Sequence, residues 1–267
     1  MKSPIKWMGG KSKSVKTILP LIPEHDCYVE TFFGGGWIYF AKEKSKVEVI
    51  NDINGELINF FEVLRTKKNE FMSQFDFALK SRELYLEFSK NENLLKLSDI
   101  ERAFRFYYII QNAFGGMYRM NKKGECNASF VSSPRKEAQG SFWDMQKIEE
   151  AHTRLKNTII ENRDYKDLIK IYDKEYTFFF FDPPYDTDLK YNGESNFDYD
   201  ELLQVCRNLK GKFLLTLNGE MRDKFSEFYI MENKVAHTIN GWEGKENNST
   251  EIIIANYNIN EMSNKIA

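Results

Sequence analysis

Thr177-Phe178-Phe179-Phe180-Phe181-Asp182-Pro183-Pro184-Tyr185 is the stretch on which the fold turns. A threonine and four consecutive phenylalanines leave no position for solvent. The segment therefore reads as a short strand buried on both faces, the pattern of a parallel sheet covered by helices on each side. An acid, two prolines and a tyrosine stop it. Proline has no N–H to give a ladder, and the residue before a proline is driven out of the helical region. The chain is thus predicted to leave the sheet in a stiff, extended turn at the strand's carboxyl end, the edge at which open α/β sheets bind ligands. That turn presents a carboxylate, a fixed carbonyl and an aromatic ring together.

The same pattern recurs on either side. Residues 26–31 read as a strand running into Phe32-Phe33-Gly34-Gly35-Gly36, and residues 47–50 as a second strand ending at Asn51-Asp52. Residues 158–162 read as a third, followed by Asp164-Tyr165, and residues 213–218 as another buried strand. Helical periodicity falls at 15–21, 37–43, 143–155, 199–209 and 219–228, while 234–240 and 250–257 look like a terminal antiparallel pair. Polar, glycine-containing stretches at 188–196 and 241–249 read as flexible loops. From residue 54 to about 98 the pattern is helical and charged, and Asp99 is the expected N-cap of a helix to about Ala113. Strands alternating with helices, interrupted by a long helical and looped segment, predict an α/β fold with an insertion. The boundaries are set at 1–58 and 155–267 for the α/β domain and 59–154 for the inserted, mainly helical one.

The chain of 267 residues carries a formal charge of −2, but residues 1–20 carry +5 and residues 102–136 carry +6, leaving −13 for the rest. Two basic zones on an acidic protein suggest a polyanionic partner, with ordinary solvated surface charge as the alternative. Cys27, Cys126 and Cys206 are far apart and odd in number, so they read as free thiols in a reducing compartment rather than as a metal set or disulfide framework. No run approaches the roughly 18 apolar residues of a membrane span, and a cytoplasmic protein is expected.

Gly10-Lys11-Ser12 imitates the end of a phosphate-binding P-loop, but that motif needs a glycine where Ile5 stands. What remains is a glycine pair between an indole and an ammonium group. It reads as a segment that folds over a ligand, with Trp7 as an apolar wall and Lys11 facing a carboxylate, or simply as a loop leading a helix. Strand, glycine loop, helix, strand and acid follow in order, with Asp52 lying 18 residues beyond Gly34. In nucleotide-type folds an acid so placed takes ribose hydroxyls. The glycines do not spell G-x-G-x-x-G, so an adenosyl ligand without phosphates fits better than a dinucleotide; a plain tight turn would use the same residues. Between residues 102 and 123, arginines and lysines interleave with Phe104, Phe106, Tyr107, Tyr108, Phe114 and Tyr118. Such a mixture suits a nucleic-acid surface, or a helical subdomain that packs its own rings.

Taken in order, Lys6-Trp7-x-Gly9-Gly10-Lys11, Phe32-x-Gly34-x-Gly36, Asn51-Asp52-Ile53-Asn54, Arg119-x-Asn121 in a basic loop, and Asp182-Pro183-Pro184-Tyr185 resemble the DNA adenine methylase (Dam) family, the D12-class N6-adenine-specific DNA methyltransferases. The resemblance spans nearly the whole chain. It implies a Rossmann-like methyltransferase fold with an inserted DNA-recognition domain, S-adenosylmethionine as methyl donor, S-adenosylhomocysteine as product, no metal, and adenine in double-stranded DNA as acceptor. It assigns Trp7, Gly9, Gly10, Lys11, Phe32, Gly34, Gly36, Asp52, Asp164, Tyr165 and Asp182 to the cofactor. Lys6, Met117, Arg119, Asn121 and Lys122 go to DNA, and Asp182, Pro183, Pro184 and Tyr185 to catalysis. Thr31 departs from the family's proline before the phenylalanine. Residues 127–131 depart from the segment in which relatives carry a second base-reading residue, so the target sequence does not carry over. Two rival readings are a methyltransferase acting on a protein glutamine amide or RNA, and a catalytically silent DNA-binding relative. A monomer or weak dimer is expected.

Overall fold

The structure is a computed structural model that describes residues 1–76, 78–90, 94–118, 121, 125–131, 143–185, 197–234 and 250–263. Seven strands form one sheet: β1 (Cys27–Glu30), β2 (Val47–Asn51), β3 (Ile159–Glu161), β4 (Thr177–Phe181), β5 (Lys212–Asn218), β6 (Tyr229–Lys234) and β7 (Thr250–Ala255). The order is β3-β2-β1-β4-β5-β7-β6; the first five strands run parallel and β7 is antiparallel to both its neighbours. The chain moves outward from β1 to β2 and β3, then returns to β4 on the other side of β1. Strand order therefore reverses between β1 and β4, which opens a crevice at their carboxyl ends.

Every residue of β4 is buried. Side chains alternate along a strand, so Phe178 and Phe180 enter the core on one face and Phe179 and Phe181 the core on the other. Each buried ring contributes about 1.5–3 kcal/mol by leaving water, which anchors the strand that carries the turn. Ten helices flank the sheet: α1 (Val15–Ile18), α2 (Trp37–Ala41), α3 (Gly55–Thr66), α4 (Lys68–Ser73), α5 (Arg82–Ser89), α6 (Asp99–Asn112), α7 (Met145–Leu155), α8 (Tyr165–Tyr172), α9 (Tyr199–Asn208) and α10 (Ile259–Ser263) among the described residues. Helices α2, α3, α6 and α7 feed the first core, α8 and α9 the second. Thr31 exploits its departure from proline: its N–H and its hydroxyl both donate to the Phe180 carbonyl, at 3.2 and 3.3 Å, and extend the β1–β4 ladder by one step.

The rings of α6 are core, not surface. Phe106, Tyr107 and Tyr108 are buried, and Tyr107 stacks on Phe60 of α3 at 5.6 Å. Arg105 is 2% exposed and donates to the Lys90 carbonyl, while Arg102 is bound to Glu56. The aromatic–cation mixture on this helix thus builds a helical lobe whose core continues unbroken into the sheet face. The predicted boundary at 58/59 falls inside α3.

Three local expectations need correction. Ser98, not Asp99, caps α6, through a capping box with Glu101; Asp99 is the first helical residue and pairs with Lys67. Residues 219–228 are not an α-helix but a 3₁₀ turn over Gly219–Met221 followed by turns, closed largely by bonds to the third residue on. Met221, Phe225 and Phe228 still pack on the core, so turns satisfy the apolar spacing that suggested a helix. The terminal antiparallel pair begins earlier than predicted, at Tyr229, because register with the apolar β7 places that strand. Residues 235–249 and 188–196, including both predicted flexible loops, lie outside the described residues.

Candidate active site

Glu30, Asn51, Phe181 and Asn218 end four parallel strands along one edge. There a cleft of about 760 Å³ opens. Trp7, Gly9, Gly10, Lys11, Phe32, Gly34, Gly36, Asp52, Asp164, Tyr165 and all four residues of the 182–185 turn line it. Asn51 stitches its rim: its amide donates to the carbonyls of Thr31 and Arg163 at 2.9 and 3.0 Å, and its oxygen accepts from the Arg163 N–H.

The glycine loop makes room for indoles. Gly34 sits at φ +47°, and a β-carbon there would lie 2.7 Å from the Trp7 ring; one on Gly10 would lie 2.6 Å from Trp37. Gly36, at φ +63°, would drive a side chain into Phe33. Trp37 is a cleft residue that the motif reading missed, and its indole N–H is buried without a partner among the described residues. Its signal was position alone, directly after Gly36. Asp52 fixes the loop's conformation, accepting from the Gly34 N–H and the Asn54 N–H at 2.9 Å each. Burial raises its pKa and those two bonds oppose the rise. Asp164 is the N-cap of α8, accepting from the Lys166 N–H at 2.9 Å. Tyr165 packs on Phe32 at 5.2 Å and on Phe197 at 5.7 Å, with its hydroxyl buried and unpartnered among the described residues.

Asp182 is already held by charge. Its Oδ1 lies 2.6 Å from the Lys11 ammonium and accepts from the Thr216 hydroxyl at 2.8 Å. Lys11, which the sequence set against a ligand carboxylate, thus meets two of the chain's own: Glu251 Oε1 lies 3.2 Å away. The same ammonium sits 4.7 Å from the centre of the Tyr185 ring, and the Tyr185 hydroxyl donates to Glu251 Oε1 at 2.5 Å. Burial opposes the charge on Lys11, but Asp182, Tyr185 and Glu251 together hold its pKa well above the ordinary lysine value. Burial raises the Asp182 carboxyl while Lys11 pulls it back. The turn itself is anchored from α9, where the Tyr199 hydroxyl donates to the Pro184 carbonyl at 2.7 Å. A carboxylate fixed through one oxygen keeps the other for a substrate N–H, beside a carbonyl that proline holds in place.

A family model described as D12 class N6 adenine-specific DNA methyltransferase matches residues 7–243. The chain belongs to that family. Its relatives include a Type II methyltransferase, M1.LlaDCHI, of Lactococcus lactis subsp. cremoris, 28% identical over 94% of this chain and 94% of that protein. Another is the Type II methyltransferase M.CviBI of Paramecium bursaria Chlorella virus NC1A, 27% identical over 96% of this chain and all of that protein. A DNA adenine methylase of Vibrio cholerae is 33% identical over 48% of this chain and 47% of its own length. An adenine-specific DNA methyltransferase of the D12 class uses S-adenosylmethionine, and the cleft fits that donor: the rings of Phe32 and Tyr165 and the carboxylates of Asp52 and Asp182 all line it. Among the described residues no group of three or more His, Cys, Asp or Glu is arranged to hold a metal ion, and no helix is long and apolar enough to cross a membrane. The three cysteines are free and buried.

On the side expected to meet DNA, Lys6 packs against Gly116, at φ +68°, where a β-carbon would lie 2.6 Å from its own. This contact brings the first basic zone to the root of the second. Phe114, on the same short turn, is 61% exposed. Met117 follows it, half-buried. Asn121 exchanges hydrogen bonds with the backbone and side chain of Glu125. Arg119 and Lys122 lie outside the described residues.

Glu30, buried at the end of β1, accepts from the Tyr28 hydroxyl at 2.6 Å and the Tyr39 N–H at 3.1 Å. Burial pushes its pKa from the ordinary 4.5 up to about 8. The folded state therefore binds more protons than the unfolded chain between those values, and the group's contribution to stability falls as pH rises through that window. Melting temperatures of the Glu30→Gln variant are expected to decline less than those of the unaltered protein between pH 5 and about 8. Parallel decline in both proteins would show that Glu30 ionises normally.

Proposed function

We propose that the chain extrudes an adenine from duplex DNA into the crevice between β1 and β4 and methylates its N6. The observation that carries this reading is the residue 182–185 turn, with Asp182 fixed through Oδ1 by Lys11 and Thr216. The N6 lone pair is delocalised into the purine ring, and a stacked base cannot reach a methyl group, so the base leaves the helix at a cost of about a few kcal/mol. S-adenosylmethionine, held by the Phe32–Gly36 loop, Asp52 and Tyr165, supplies the electrophilic methyl group when bound. Asp182 Oδ2 and the Pro183 carbonyl accept the two N6 hydrogens and favour a less conjugated nitrogen, whose lone pair is localised toward the methyl group. These bonds strengthen as positive charge grows on nitrogen, so they favour the transition state over the ground state. Tyr185 stacks on the extruded base, worth about 1–3 kcal/mol.

The DNA-binding residues are Lys6, Phe114, Met117, Arg119, Asn121 and Lys122, of which all but Lys6 belong to the inserted segment. The packing of Lys6 on Gly116 supports this, since cations there hold phosphates while an exposed ring stacks or wedges. We assign the chain to the cytoplasm as a monomer or weak dimer. Labelled S-adenosylmethionine and duplex DNA are expected to yield N6-methyldeoxyadenosine on enzymatic digestion. Label that survives DNase pretreatment and stays with protein or RNA would refute the acceptor.

A further inference from the structure

Glu251 stands outside every motif read from the sequence, yet three elements converge on it. It is buried, 5% exposed, near the start of β7. Because β7 runs antiparallel to β5 with Glu251 opposite Asn218, its first residues lie at the carboxyl edge where the parallel strands end. Its two oxygens are fully committed. Oε1 meets the Lys11 ammonium at 3.2 Å and the Tyr185 hydroxyl at 2.5 Å. Oε2 accepts from Asn233 of β6 at 2.8 Å and from the Ser14 hydroxyl at 3.2 Å, and Asn233 also donates to Ser14 at 3.0 Å. A buried carboxylate is costly, and four donors are a large investment in one that need not touch the base.

We infer that Glu251 is a positioning residue for methyl transfer: it shares the Lys11 ammonium with Asp182 and tethers Tyr185, so that Asp182 keeps the full acceptor strength N6 requires. This rests on the reading of Asp182 as the N6 acceptor. With one cation between two carboxylates, neither is fully neutralised. If Glu251 lost its charge, Lys11 would commit to Asp182 alone, weakening Asp182 as an acceptor, and Tyr185 would lose its strongest anchor. Among the described residues, the charged or titratable groups facing Asp182 are Lys11, Glu251, Tyr185 and the more distant Glu30. Removing one of the negative neighbours lowers the pH at which Asp182 protonates.

The test is the Glu251→Gln variant of the full chain, assayed with S-adenosylmethionine and unmethylated genomic DNA from a methylation-free host. The expected result is a fall in kcat of about 10- to 100-fold with KM for DNA nearly unchanged, the range a lost charge-assisted hydrogen bond gives. The acidic limb of the kcat profile should also move to lower pH, which a merely structural role would not do. Unchanged kcat, or lowered kcat with an unmoved acidic limb, would overturn the inference. If Glu251→Gln does not fold, Asn233→Ala, which loosens Glu251 without changing charge, carries the test through the kcat–KM split: a several-fold loss in kcat with KM for DNA and for S-adenosylmethionine nearly unchanged supports it, and unaltered kcat, or a loss that falls equally on KM, contradicts it. The unaltered protein is assayed alongside; its failure to methylate DNA would count against the parent reading instead of against Glu251.

Discussion

Replacing Asp182 by alanine is expected to lower kcat for DNA methylation by about 10²- to 10³-fold, the usual cost of removing one preorganised group that meets charge developing in a transition state. The loss is expected chiefly in kcat, with a much smaller effect on cofactor affinity, because the residues assigned to S-adenosylmethionine besides Asp182 are spread over Trp7–Lys11, the Phe32–Gly36 loop, Asp52, Asp164 and Tyr165. Asp182→Asn should lose nearly as much: the amide keeps the shape and an acceptor oxygen, but it lacks the charge that strengthens a bond to a nitrogen becoming positive. Folding should survive, since Lys11 retains Glu251 at 3.2 Å as a counter-ion. Single-turnover rates with titration calorimetry of cofactor binding separate the two effects. Near-normal turnover in a folded Asp182→Ala protein would remove this turn from the chemistry.

Lys11→Met is expected to cost more in stability than any other change at the site. Lys11 is 7% exposed and lies between two carboxylates that are themselves largely buried. Removing the shared cation leaves both without compensation, and breaking a buried pair in this way costs about 3–5 kcal/mol, or on the order of 10 °C in Tm for a chain of this size. The pH dependence follows from the sign of the shifts. In the unaltered protein Lys11 titrates well above its ordinary value of 10.5, so its contribution is fully present at every pH below that and fades only above it. In the variant, Asp182 and Glu251 would have raised pKa values, so the folded state binds extra protons in the acidic range. The deficit is therefore smallest near pH 5 and grows towards pH 8. Thermal melts at a series of pH values check this, and a deficit independent of pH would show that Lys11 acts by packing alone.

Much of this site was legible because its chemistry lies in local runs. The four phenylalanines admit one reading, a strand buried on both faces, and proline after Asp182 fixes where it stops. Asp52 and the glycines could be placed at strand ends from spacing alone. What the glycines are for could not: they accommodate Trp7 and Trp37, contacts between segments that spacing does not encode. Lys11 was visible, but its partners were not, because Glu251 reaches it only through the antiparallel register of β7 on β5. The rings of α6 looked suited to nucleic acid because a helix that buries most of its circumference in a lobe carries the same residues. Residues 219–228 misled in the opposite way, since turns place Met221, Phe225 and Phe228 on the core as well as a helix would. Ser98 carried its own signal, the glutamate three residues on, which outranks Asp99 as a cap.

The most direct test of the account is single-molecule sequencing of DNA from a methylation-free host expressing this chain, with the Asp182→Ala variant as control. N6-methyladenine is expected, confined to one short sequence motif and absent from the control. Unmodified DNA from the active chain, or the same marks in the control, would contradict it.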